Sequence, residues 1–467
     1  MSAAQDEVVP ELSRSLESRH ITMISIGGMI GAGLFVSSSA AIAATGPAIV
    51  VSYLITGALV LLVMRMLGEM AMTLPRVRSF TEFARAGLGN WGGFVAGWLY
   101  WYFWMIVVPV EAIAGANILH SWFGAHGPSP LVLGLLLMGV MTAVNLMSAR
   151  SYGEFEFWFA SIKVAAILVF IALAAAYACG FTAPAGSTFG NLTAFGGFMP
   201  KGVTAVLSGA VTVYFSLTGA EITTIAAAES REPARAVARM SSSVILRILT
   251  FYAGSVFLIV SVVPWINVKV GESPFSLALT TMQFGWASVA MSAIILTAVL
   301  SCLNSAFYVC SRVLFVLAEH GDAPQFLVKL NERRVPTRPI WMGSVAGVFG
   351  IFAATAHSQA VFAFLVNASG ALIVFIYMMI VVAHLKVRRA REASGAPPPA
   401  LQMWLFPWAN YAALGGMAAV LIAMALMPDM QRDLKVSVLS FAVALAAFFL
   451  VNSRRRARAL GSAAVQP

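Results

Sequence analysis

The sequence predicts an all-α membrane protein of 12 transmembrane helices: a 5+5 inverted repeat in which helices 1 and 6 are broken, followed by two further spans. Three observations predict it. The chain of 467 residues is 60% hydrophobic and only 10% charged, with a mean hydropathy of +0.86, against roughly 25% charged residues in soluble domains. Its apolar stretches recur at close to the length of about 20 residues that a bilayer crossing needs. Interruptions stand at corresponding places in the first and sixth stretches, the pattern of a repeat that opens each half with a discontinuous helix.

Taken in order, the spans are read at 21–44, 48–71, 91–119, 131–147, 157–179, 203–228, 244–263, 286–317, 340–356, 361–383, 408–427 and 436–451. They divide the chain into an N-terminal tail (1–20), a ten-span core (21–385), a loop (386–407), the last two spans (408–452) and a basic tail (453–467). Span eight is about 48 Å long at 1.5 Å per residue, more than the ~30 Å hydrocarbon core requires, so it is expected to tilt and project beyond it. Soluble linkers are short, so the bundle itself is expected to carry the function.

The net charge of +10 gains meaning from its placement, because Lys and Arg concentrate on the cytoplasmic side of membrane proteins. With the N-terminus inside, only Lys201, Lys269, Arg432 and Lys435 fall in outside loops. An even span count puts both termini in the cytoplasm, and nucleic acid is not an expected partner. The first 20 residues are polar and acidic, without the pattern of a cleavable signal. Cys179, Cys302 and Cys310 offer no disulfide framework; the last two lie about 12 Å apart along one helix. The six histidines show no metal spacing, and no Ser/His/Asp grouping supports hydrolysis. An enzyme, a metal site and a cofactor are therefore not expected.

Span one contains "ISIGGMIGAGLF", with Gly27, Gly28, Gly31 and Gly33 in one short run. Each glycine costs a helix roughly 1 kcal/mol relative to alanine, so the run reads as a break. Close helix packing through Gly27 and Gly31 explains neither the other two glycines nor the counterpart in span six, "YFSLTGAEI". A dinucleotide loop does not fit, because the order is G-G-x-x-G-x-G with no strand before it. Broken helices at membrane depth free N–H and C=O groups that a ligand can satisfy. The backbone of Gly27, Gly28, Ile30, Gly31, Ala32 and Gly33 is expected to take a carboxylate. Carbonyls freed near Ser216, Thr218 and Gly219 are expected to take an ammonium, and Tyr214 is a further substrate-binding candidate. Together the two breaks point to a small zwitterion.

Ionisable residues at membrane depth are functional candidates. Lys163 in span five and Glu221 in span six are expected to exchange protons, since low dielectric disfavours the charged form of both; the plainer alternative is that they merely pair with each other or with backbone. Glu111, beside Pro109 in span three, is a candidate binding residue. Arg65 and Glu69 read as a local i,i+4 pair, Arg312 as an interfacial anchor, and the aromatic run Trp98–Trp104 mostly as core.

The chain resembles the bacterial amino acid transporter family of the amino acid/polyamine/organocation superfamily over nearly its whole length. The motifs that carry the resemblance are "SRHITMISIGGMIGAGLFV", "GPAIVVSYLITGALVLLVMRMLGEMA", "YGEFEFWFASIKV", "GGFMPKG", "GAEITTIAAAESREP" and "SCLNSAFYVCSRVL". Span three, "GWLYWYFWMIVVPVEAIAGANILHSW", is similar to the gamma-aminobutyrate permeases of that family, which can carry a serine where Gly33 stands. The resemblance implies a LeuT-type fold, substrate at the broken helices, proton-driven uptake across the inner membrane, and proton-coupling roles for Lys163 and Glu221. The expected partners are a small zwitterionic amino acid, a proton and the lipid bilayer, with the chain a monomer or weak homo-oligomer. The alternatives are a permease for an α-amino acid such as proline or an aromatic one, and a non-transporting membrane sensor.

Overall fold

The structure is a computed structural model that describes residues 23, 29–74, 77, 79–124, 126–147, 149–182, 186–222, 224, 246–328, 331 and 335–463. Gly27 and Gly28, named above as candidate ligands, lie outside the described residues, as do the N-terminal tail and residues 464–467. Within what is described, each apolar stretch read from the sequence contains helix. Seven helices are long and apolar enough to cross a bilayer, and three shorter apolar ones, Pro130–Asn145, Gly202–Leu217 and Ile248–Val262, accompany them.

The two expected breaks are present. Span one is a short helical piece, Ala32–Phe35, followed after a turn by Ser38–Thr45. Gly31 ahead of it is extended and offers no side-chain cap. Span six runs as helix from Gly202 to Leu217 and stops at an extended Thr218. Gly219 follows at φ 119, a backbone region closed to residues with a Cβ.

Other boundaries differ from expectation. Spans nine and ten fall within one helical run, Thr337–Ala393, of 57 residues. That is about 86 Å at 1.5 Å per residue, far more than one crossing; helix assignment here marks no boundary between the two apolar stretches. Span seven opens with a π-helical segment, Ile248–Gly254, whose wider turn sequence periodicity does not reveal. An amphipathic helix, Phe80–Leu88, lies between spans two and three. Its S-x-x-E start is a capping signature, and Ser79 accepts from the Thr81 N–H.

Helix packing at the ends expected to be cytoplasmic is polar. Asp322, after span eight, is held by the guanidinium groups of Arg85 and Arg455, and its carbonyl accepts from Trp98 Nε1 at 3.2 Å. The expected Arg65–Glu69 pair is not formed. Glu69 instead accepts from the Met403 N–H at 2.6 Å and from Arg388 at 3.2 Å, with His384 Nε2 3.1 Å away. Arg65 donates to the Gln402 carbonyl at 2.9 Å and covers Trp404. Both residues reach the loop before span eleven, a tertiary demand that overrides the weak helix-surface pair. Arg312 is buried over the Tyr308 ring rather than interfacial.

Asp322 joins three elements, so its loss leaves two guanidinium groups without their shared acceptor. Asp322→Ala should lower stability by about 1.5–3 kcal/mol, the worth of a hydrogen bond to a charged group, visible as a lower unfolding midpoint in detergent. An unchanged midpoint would make the cluster a surface ornament.

Candidate functional site

The break in span one exposes consecutive backbone groups, and side chains from four other spans meet them. The Tyr252 hydroxyl, from the π-helical turn of span seven, donates to the Met29 carbonyl at 2.6 Å. Lys163 Nζ, from span five, donates to the Ile30 carbonyl at 3.0 Å. The Ala32 N–H donates to both carboxylate oxygens of Glu111, from span three, at 3.1 and 3.2 Å. The Ser216 hydroxyl, at the end of the span-six helix, donates to the Gly33 carbonyl at 2.6 Å. Such pairing is required where no water or lipid can substitute.

A small cavity lies against this segment, lined by Met29, Gly31, Gly33 and Glu111, by Thr218 and Phe215 of span six, and by Cys302 of span eight. Phe103, Trp104 and Val107 complete it. It has room for about one water. Glycine is demanded by close approach: a Cβ on Gly31 would lie 2.6 Å from Cys302 Cβ and 2.8 Å from Glu111 Oε1. A Cβ on Gly33 would lie 2.8 Å from Ser216 Cα.

Lys163 is fully buried. Besides Ile30 it donates to Ser301 Oγ at 2.8 Å, and its charge faces Glu156 Oε1 at 3.7 Å. Ser301 in turn donates to the Glu156 carboxylate at 2.6 and 2.7 Å. Lys163 and Glu221 therefore do not pair with each other; each bonds backbone instead, Lys163 the Ile30 carbonyl and Glu221 the Gly219 N–H. Glu221 accepts from the hydroxyls of Tyr100 at 3.0 Å and Tyr377 at 2.8 Å. It also accepts from the Gly219 N–H at 3.1 Å to each oxygen. Its carboxylate thus caps the backbone freed by its own break and does not line the cavity.

The candidate residues separate accordingly. Gly31, Gly33, Glu111 and Thr218 face the cavity; Ile30 and Ala32 present backbone groups that Lys163 and Glu111 already hold. Ser216 and Gly219 serve the two breaks, and Tyr214 is buried against Tyr377 at 6.2 Å between ring centroids, away from the cavity lining. The aromatic run of span three divides by helical phase: Phe103 and Trp104 reach the cavity, Tyr100 reaches Glu221, and Tyr102 is exposed.

Glu156, Ser301, Tyr252, Tyr377 and Cys302 were not singled out by sequence reasoning. Glu156 carried a legible signal, since seven residues before Lys163 is two helical turns on the same face. It stands one residue before the apolar stretch that begins at Phe157. Among the described residues no group of three or more His, Cys, Asp or Glu could hold a metal ion, and all three cysteines are free.

Comparison with known proteins adds a family to this geometry. The profile of the amino acid permease family matches residues 20–455. The chain is 41% identical over 447 residues to the gamma-aminobutyric acid permease of Bacillus subtilis (strain 168), covering 95% of this chain and 94% of that one. It is 42% identical over 426 residues to the gamma-aminobutyric acid permease of Escherichia coli (strain K12), covering 91% of each. To the aromatic amino acid transport protein AroP of Corynebacterium glutamicum it is 36% identical over 455 residues, covering 95% of this chain and 96% of that one. The chain belongs to the amino acid permease family.

Proposed function

We propose that the chain is a proton-coupled symporter that carries gamma-aminobutyrate inward across a bacterial inner membrane, with both termini in the cytoplasm. In this reading residues 21–385 form the transport core, residues 408–452 pack beside it, and the chain works as a monomer or weak homo-oligomer. The observation that carries it is the Lys163 ammonium bonded to the Ile30 carbonyl, a titratable group clamped onto the broken segment beside the cavity. Identity of 41–42% to two gamma-aminobutyric acid permeases, against 36% to an aromatic permease, supports the substrate.

The proposed coupling follows from the contacts. A protonated Lys163 gives Ile30 a charge-assisted hydrogen bond and is balanced by Glu156; a neutral amine gives a weaker bond and leaves Glu156 without its countercharge. Protonation therefore biases the position of residues 29–33, the segment on which the substrate's carboxylate depends. Lys163→Ala should abolish gradient-driven accumulation in proteoliposomes, and uptake should track the proton gradient with no sodium requirement. Concentrative uptake retained by that variant, or dependence on sodium at a fixed proton gradient, would refute the coupling.

Small size at Gly31 is needed where Cys302 and Glu111 close in. Gly31→Val should cripple substrate binding while the protein still inserts. Wild-type affinity in that variant, measured by equilibrium binding, would reduce the glycine to a packing role.

Three methylenes separate the charges of gamma-aminobutyrate, so its carboxylate and ammonium reach partners that an α-amino acid of fixed one-carbon spacing does not reach together. A missed charge-assisted hydrogen bond costs about 1.5–3 kcal/mol, roughly 10- to 150-fold in affinity. Gamma-aminobutyrate and other omega-amino acids should outcompete proline, phenylalanine and lysine in an inhibition panel. Tenfold better competition by an α-amino acid would refute the substrate and leave amino acid transport standing.

A further inference from the structure

Glu111 is the buried acid of the site that lines the cavity. Its carboxylate, 1% exposed, holds the Ala32 N–H with both oxygens and forms no ion pair with a Lys, Arg or His among the described residues. Glu156, by contrast, has Lys163 and Ser301, and Glu221 has two tyrosine hydroxyls and a backbone N–H. A buried carboxylate with no cation in direct contact is costly, yet this one faces the cavity and, with Cys302, closes it around Gly31. So little room remains that a ligand reaching the Ala32 N–H has to move Glu111 aside.

We propose that Glu111 is a placeholder for the ligand's carboxylate and becomes the receptor for its ammonium. This rests on the reading of the cavity as the substrate site. When a zwitterion enters, its carboxylate takes the Ala32 N–H and frees Glu111. The freed carboxylate then receives the ammonium that arrives on the same molecule. The cavity gains no net charge, the N–H keeps an anionic acceptor, and Glu111 gains a cation in direct contact. A monocarboxylate brings a second anion beside a displaced Glu111 and no cation to offset it, so the site rejects it by like-charge repulsion. Glu111 thereby sets specificity for zwitterions over anions of the same size.

The test compares gamma-aminobutyrate with butyrate, the same carbon chain without the amine, by equilibrium binding to the purified full-length protein in detergent. Wild type should prefer gamma-aminobutyrate. Glu111→Gln keeps an acceptor for the Ala32 N–H but loses the charge, and should cut that preference tenfold or more, weakening gamma-aminobutyrate while butyrate binds equally or better. Glu111→Asp keeps the charge on a shorter stem and should retain a preference for the zwitterion even where affinity falls. A Gln variant that keeps the wild-type ratio, or that loses both ligands in parallel, overturns the proposal, as does an Asp variant with no preference. If wild type binds another amino acid and not gamma-aminobutyrate, the substrate reading fails separately. The same ratio, measured with that amino acid and its deaminated acid, then decides the role of Glu111.

Discussion

A helix that breaks at membrane depth must find partners for the backbone it frees, and the centre of this fold is organised by that demand. Each orphaned group costs several kcal/mol in hydrocarbon, so the break in span one is tolerable only inside a ring of donors and acceptors. Spans three, five, six and seven supply them through Glu111, Lys163, Ser216 and Tyr252. Span eight enters one step removed, through Ser301 beneath Lys163 and Cys302 beside Gly31. Close approach of Ser216 to Gly33 brings the two broken helices into contact at the same point.

The second break is solved differently, and the contrast is informative. In span six Glu221 folds back on the Gly219 N–H of its own segment, and Tyr100 and Tyr377 donate to it from outside. That arrangement is locally complete, since one acid receives a backbone donor and two hydroxyls. Span one has no acid of its own among its described residues and borrows Glu111 from span three, in a contact that spans 79 residues of sequence. A borrowed partner can be exchanged without unmaking the helix that supplies it, whereas an internal cap cannot.

The fold was largely legible because its signals are composition and length. Apolar runs near 20 residues have few alternatives to helix, and clustered glycines mark a break wherever the surroundings are helical. The division between spans nine and ten was less legible, because hydropathy dips around residue 357 while the helical run Thr337–Ala393 continues through it. The π-turn at Tyr252 and the helix Phe80–Leu88 lie below the resolution of a hydropathy reading. Within the site, Lys163, Glu111 and Glu221 stood out as charges in apolar surroundings. Their pairing did not, since it depends on how five spans are rotated against one another. Ser301 and Tyr252 are ordinary residues for a membrane helix, and only their tertiary contacts connect them to the break.

Because one short segment carries all of these contacts, whatever acts on any partner acts on the others. Residues 29–33 cannot shift without breaking the bonds to Tyr252, Lys163, Glu111 and Ser216 together. On the proposed reading, a proton on Lys163 and a carboxylate at Ala32 are two ligands of that one segment, bound two residues apart along the backbone. Each stabilises the positions of residues 29–33 in which its own contact is best, so each raises the affinity of the other by the same factor whenever both prefer the same position. Coupling of that kind needs no pathway across the protein. It requires only that the titratable group and the substrate share a stretch of backbone that cannot satisfy itself.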